Sequence, residues 1–124
     1  MIKKRLLVAD RVRRVPRDGF SWIDRRFLRD YAERLSGDAI VVYFFLAAVS
    51  DKQGLSFYRD ASIASRLGIR EQAVVAAREE LLCQDLIAYQ PPLTQVLSLP
   101  PARVARAGLH GLGELVRNLK NLDT

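Results

Sequence analysis

The stretch SFYRDASIASRLGIREQAVVAAREELLCQDLIAY, Ser56 to Tyr89, carries the pattern that decides the fold. Asp60 has the side chain of an N-cap for a short helix over about 61–67, and Gly68 ends that helix. Ile69 follows, and a second helix runs from about Arg70 to Gln84. Ala64, Gly68 and Val74 fall at i, i+4 and i+10. A small residue is needed where one helix crosses close above another, and Ala64 supplies it. The tight turn needs a residue tolerant of positive φ, and Gly68 supplies it. Val74, Ala77 and Leu81 make one inward stripe at helical periodicity. Leu86-Ile87-Ala88-Tyr89 then has a strand's composition, Gln90-Pro91-Pro92-Leu93 makes a turn, and Gln95 to Leu99 reads as the returning strand.

Working outward, residues 39–50 are apolar on nearly every side, so other elements must cover them and they form the hub of the core. Leu55 to Tyr58 reads as a short strand. Ile23, Phe27, Leu28, Tyr31 and Leu35 recur at helical intervals, which predicts an amphipathic helix over about 23–35, with Ser21 and Asp24 at capping-box spacing. Residues 1–20 form a basic arm in which Leu6-Leu7-Val8 can pair as a short strand or pack on the domain. The chain divides into a basic arm and helix (1–37), a central domain (38–99) and a leucine-rich tail (100–124).

The 124 residues suit one ordinary domain with extensions. One cysteine, Cys83, and one histidine, His110, exclude a disulfide framework and a four-ligand zinc site, and argue against a Ser/His/Asp triad. The net charge of +6 is unevenly spread: +6 over residues 1–34, −2 over 35–99 and +2 over 100–124. Attraction to phosphate must therefore come mainly from the N-terminal region. The longest apolar run, Ala39 to Val49, is too short to span a bilayer, and no signal peptide is apparent; the expectation is a cytoplasmic protein without a membrane partner.

Two helices joined at Gly68 and followed by a two-stranded hairpin resemble the winged helix-turn-helix family, as found in bacterial transcription regulators and in replication initiators of plasmids and mobile elements. The resemblance covers about residues 38–99 and implies a mainly α fold with a small β-hairpin. It also implies that helix 70–84 enters the major groove of double-stranded DNA while the hairpin touches the backbone. With Val74, Ala77 and Leu81 inward, the outward positions are Gln72, Val75, Ala76 and Glu79. Gln72 is matched to adenine, and Val75 and Ala76 to a thymine methyl. Arg70, at the helix start, and Arg78, on its flank, are the expected phosphate or guanine contacts. Arg59 and Arg66 flank the positioning helix. Arg11, Arg13 and Arg14 cluster in the arm, where a basic segment can lie in the neighbouring minor groove, and Arg25 and Arg26 extend that patch.

The sequence departs from the family pattern in two places. The hairpin tip, Gln90 to Thr94, has no Lys or Arg, and Asp85 stands where glycine is usual before the Leu-Ile pair. These departures, with apolar Val75 and Ala76 outward, support the alternative of a protein-interaction module. In the tail, Leu109, Leu112, Val116 and Leu119 repeat at intervals of 3, 4 and 3, a seam that suits a homodimer, a partner helix or the chain's own domain. Cys83 reads as a partly buried structural thiol and His110 as a surface residue. Gly108, Gly111 and Gly113 do not match a phosphate loop. No cofactor and no enzymatic chemistry are expected.

Overall fold

The computed structural model describes residues 3–101. Helix α1 spans Gly37–Val49, strand β1 Leu55–Phe57, helix α2 Asp60–Leu67, helix α3 Glu71–Cys83, strand β2 Ile87–Gln90 and strand β3 Leu93–Val96. The three strands form one antiparallel sheet in the order β1-β3-β2. The expected leucine-rich tail lies almost wholly outside the described residues, as does His110. No helix among the described residues is long and apolar enough to cross a membrane.

Gly68 terminates α2 in the left-handed conformation, φ +69°, and its own N–H reaches back to Ala64. The chain reverses there, and α3 packs across α2 with Val74, Ala77 and Leu81 each fully buried. These three join Val42 and Leu46 of α1, Ile63 of α2 and Leu86 in one core. Fully burying a side chain of this kind contributes about 1.5–3 kcal/mol, so the stripe read from the sequence is a main source of the fold's stability. Ser36 caps α1 by accepting from the Ala39 N–H (3.1 Å), while its own N–H and hydroxyl donate to Glu80, tying the start of α1 to a late turn of α3.

Several sequence expectations need correction. Asp60 is the first residue of α2 rather than its cap; Arg59 holds the cap position, without a side-chain cap bond. The anticipated helix over 23–35 is a short helical start at 25–26, a π-helical turn at Phe27–Tyr31 and a 3-10 turn at Ala32–Arg34. The inward face runs through Phe27, Tyr31 and Leu35, and Leu28 and Ile23 are left exposed. Phe27 stacks on Tyr43 with ring centroids 4.2 Å apart. Of the capping-box pair, Asp24 takes the local role by accepting from the Arg26 N–H, while the Ser21 hydroxyl donates to the Ala48 carbonyl.

The hairpin turns more tightly than expected, at Pro91-Pro92, because β3 begins at Leu93 rather than Gln95. The strand at 55–57 pairs with β3, so the anticipated two-stranded hairpin is part of a three-stranded sheet. Leu6, Leu7 and Val8 neither form a strand nor pack; every residue from Lys3 to Ile23 is exposed. The hub helix α1 is not covered all round, since Val41 and Phe44 remain exposed. Asp85 adopts φ +61°, the conformation a glycine would take, and the Leu86 N–H closes onto the Leu81 carbonyl at 3.0 Å. Aspartate is one of the few side chains that visit this region readily.

Candidate nucleic-acid interface

The α2–α3 bend sets the candidate surface. Arg70 caps α3 with extended backbone (φ −71°, ψ 147°), so its side chain leaves the helix start freely. Glu71 follows in the first turn, where the helix dipole favours an acid. With the stripe at 74, 77 and 81 facing in, Gln72, Val75, Ala76 and Glu79 face solvent. Arg70, Glu71, Gln72 and Val75 line a shallow depression on this face. A second depression, lined by Arg59, Asp60, Ala61, Glu71, Tyr89, Pro91 and Pro92, adjoins the first through Glu71. Together they run from the hairpin turn past the start of α2 to the outward face of α3. Sequence reasoning missed Tyr89 and the two prolines as lining residues. The tight turn that places them there depends on the register of β3, which composition does not specify.

Arg78 is corrected. It is 2% exposed, and its guanidinium points into the fold. Nε donates to Asp60 Oδ1 at 2.6 Å, Nη1 to Thr94 Oγ1 at 2.7 Å and Nη2 to the Tyr58 carbonyl at 2.9 Å. The guanidinium also lies 4.0 Å from the Tyr89 ring centroid. One side chain thus ties α3 to the start of α2 and to the sheet through β2 and β3, and is not available to a phosphate. The signal was present: 74, 77, 78 and 81 are i, i+3, i+4 and i+7 of a single helical face. Its charge made Arg78, on the flank of the helix, an expected phosphate or guanine contact.

Arg26 is also largely committed. Its guanidinium pairs with Asp24 at 3.2 Å and donates through Nη1 to the Pro100 carbonyl at 3.0 Å. The Arg26 backbone N–H, and then its guanidinium, hold the Asp24 carboxyl below the usual aspartate range. Burial pushes the Tyr43 hydroxyl up, with a smaller contribution from Asp24.

Arg59, Arg66 and Arg70 are exposed at the edges of α2 and α3, and Arg66 sits 6.0 Å from the Tyr58 ring centroid. Arg25 is exposed, as are Arg11, Arg13 and Arg14 in the arm. The arm meets the fold where Ser21 bonds Ala48, near the C-terminal end of α1. The structure therefore brings Arg70, Gln72 and Val75 together, with Arg59 adjoining, while the arm joins the fold at a different element. Cys83 is exposed rather than partly buried. No family model matches the chain, and neither does any curated protein or solved structure.

Proposed function

We propose that residues 38–99 form a winged helix-turn-helix domain and that the protein binds double-stranded DNA without carrying out chemistry. It acts as a transcription regulator or as an accessory or replication factor of a mobile element. The observation that carries this reading is the element order α1-β1-α2-α3-β2-β3 closed by a sheet in the order β1-β3-β2, with the outward side of α3 left open. That arrangement presents one helix and one hairpin on a common side, the geometry a major groove accepts.

Charge then divides the labour. The outward side of α3 sets Arg70 against Glu71 and Glu79, so this helix adds little attraction of its own. It reads base edges, with Gln72 toward adenine and Val75 and Ala76 toward thymine methyl groups. The arm supplies the attraction. Lys3, Lys4, Arg5, Arg11, Arg13, Arg14 and Arg17 are all exposed and oppose only Asp10 and Asp18. If Arg11, Arg13 and Arg14 alone each neutralise one phosphate, affinity falls about 40-fold between 50 and 200 mM salt.

The test is titration of a fluorescent duplex across that salt range. A steep loss of affinity is expected, and affinity that stays level overturns the reading. Gln72→Ala is expected to relax preference at one base pair by about 1–3 kcal/mol while leaving the salt slope alone. A second reading, a protein-interaction module, is favoured by one observation: no Lys or Arg lies between Gln84 and Leu99, so the hairpin has no cation for a phosphate. A stable complex with another protein, and no shift of duplex, would favour it.

A further inference from the structure

Two aromatic rings at the end of the arm have no part in the fold. Phe20 is 65% exposed and Trp22 73%. Neither belongs to a free end. Ser21, between them, donates its hydroxyl to the Ala48 carbonyl at 3.0 Å, and Arg26 holds the Pro100 carbonyl at 3.0 Å a few residues further on. The segment is thus tethered to the fold on both counts, and its two largest side chains still stay in water. A single exposed apolar residue is ordinary. Here covalent geometry alone keeps the Cα atoms of the two aromatic residues within about 7 Å of each other.

The pair is also bracketed by cations. Arg13, Arg14 and Arg17 precede it and Arg25 follows it, and all four are exposed. A turn at Pro16–Gly19, closed by the Gly19 N–H on the Pro16 carbonyl, sets Arg17 just before Phe20. Asp24 is already paired with Arg26 at 3.2 Å, which leaves Asp18 to oppose the four. A partner that fits both features carries negative charge along its length and offers flat apolar faces at short intervals. Single-stranded DNA is such a partner: cations follow its backbone while aromatic side chains stack on its bases. A duplex does not offer this, because its bases already stack on one another. A lipid surface takes apolar residues gathered on one face of a helix, and the only helical turn among residues 3–20 is the three-residue one at Ala9–Arg11.

We propose that Phe20 and Trp22, flanked by Arg17 and Arg25, bind single-stranded DNA by stacking on unpaired bases. This goes beyond the duplex reading and shares with it only the cations of the arm and its junction with the fold; α3 takes no part.

Trp22 is the chain's only tryptophan, and stacking on a base quenches indole emission, so the full chain carries its own probe. Its emission is followed during titration with single-stranded oligothymidine, with a closed hairpin duplex and with inorganic polyphosphate, which offers charge without bases. Saturable quenching by oligothymidine is expected, with emission level in polyphosphate. Binding of a labelled oligothymidine is then measured by anisotropy for Phe20→Ala, Trp22→Ala and Trp22→Phe. Both positions are exposed, so the fold is retained, and circular dichroism checks it. Each alanine variant is expected to bind the single strand about 5- to 150-fold more weakly. Trp22→Phe should recover most of that loss, and affinity for the hairpin duplex should stay level in all three. Oligothymidine bound without quenching overturns the proposal, as do alanine variants that bind it like the parent. Equal losses on single strand and duplex overturn it too, since the rings would then not read unpaired bases. Quenching by vesicles of anionic phospholipid but not by oligothymidine assigns the rings to a membrane, and tighter binding of oligouridine assigns them to RNA; either result overturns it. A parent that binds the single strand but not the duplex would sink the duplex reading and leave this one standing.

Discussion

The arm and the unit built from α2, α3 and the sheet use the same residue type for opposite ends. Between Lys3 and Arg17 every Lys and Arg is exposed and nothing is buried. From Leu55 to Leu99 there are four arginines, and Arg78 is enclosed with three hydrogen-bonding partners and an aromatic face. Removing a charged side chain from water costs several kcal/mol, and only such a complete set of partners offsets that. A solvated arginine keeps its hydration and can exchange it for phosphate oxygens. Net charge therefore measures potential attraction only after the enclosed cations are set aside. Among the described residues that leaves the arm as the main store of free positive charge.

The comparison is most exposed to disproof at Arg78. Replacing it with alanine strands the Asp60 carboxylate and the fully buried Thr94 hydroxyl. A loss of about 3 kcal/mol is expected, at the low end for a broken buried pair because Asp60 keeps some contact with water. Urea denaturation measures it. Arg78→Lys should recover only part of the loss, since an ammonium cannot reach three acceptors in one plane. A variant as stable as the parent would mean that Arg78 is not the tie between α3 and the sheet.

Two glycines rank next and separate backbone strain from collision. Gly54 has φ +86°, and a Cβ there would strike the Val96 carbonyl; Gly68 has φ +69° with open space around it. Gly54→Ala is expected to cost about 2 kcal/mol or more and Gly68→Ala about 1 kcal/mol, the strain alone. Thermal melts of the two variants test the order. Equal losses would mean that β3 yields at Val96.

What the sequence made legible follows the same division. The bend at Gly68 and the stripe Val74, Ala77 and Leu81 were readable because helical periodicity and the left-handed turn are local. The pairing of β1 with β3 was not readable, since it joins residues about forty apart and depends on register. The π-helical turn at Phe27–Tyr31 was missed for a related reason. Its hydrogen bonding alters which residues face in, and the apolar positions Ile23 and Leu28 fit an ordinary helix equally well. On the candidate surface, Gln72, Val75 and Ala76 were readable as outward from the stripe opposite them. For Arg26, ion pairing with the arginine-flanked Asp24 two residues away was readable, but the bond to the Pro100 carbonyl, 74 residues away, was not.

A smaller effect lies at the turn after α1. Asp51 accepts the N–H groups of Leu55 and Gln53 at 2.9 and 2.8 Å, and these bonds hold its carboxyl below the ordinary value. A depressed folded-state pKa gives stability that is present above the unfolded value, near 4, and is lost as pH falls through the folded one. Asp51→Asn should therefore melt below the parent at neutral pH, and the gap should narrow in the acid range. A gap that is constant with pH would mean that the charge on Asp51 contributes nothing.

The smallest expected change in stability is the one that most sharpens the contrast with Arg78. Arg11, Arg13 and Arg14 are all exposed. Replacing all three with alanine should leave the urea midpoint within about 0.5 kcal/mol of the parent. The same variant should flatten the salt dependence of duplex binding by about 2.7 in log–log slope, for three phosphate contacts removed. The two readouts are independent, and the arm reading requires both results. A shift of the midpoint would place these arginines among the structural ones with Arg78. An unchanged midpoint with an unchanged slope would leave them solvated, and would move the search for phosphate contacts to Arg59, Arg66 and Arg70 at the edges of α2 and α3.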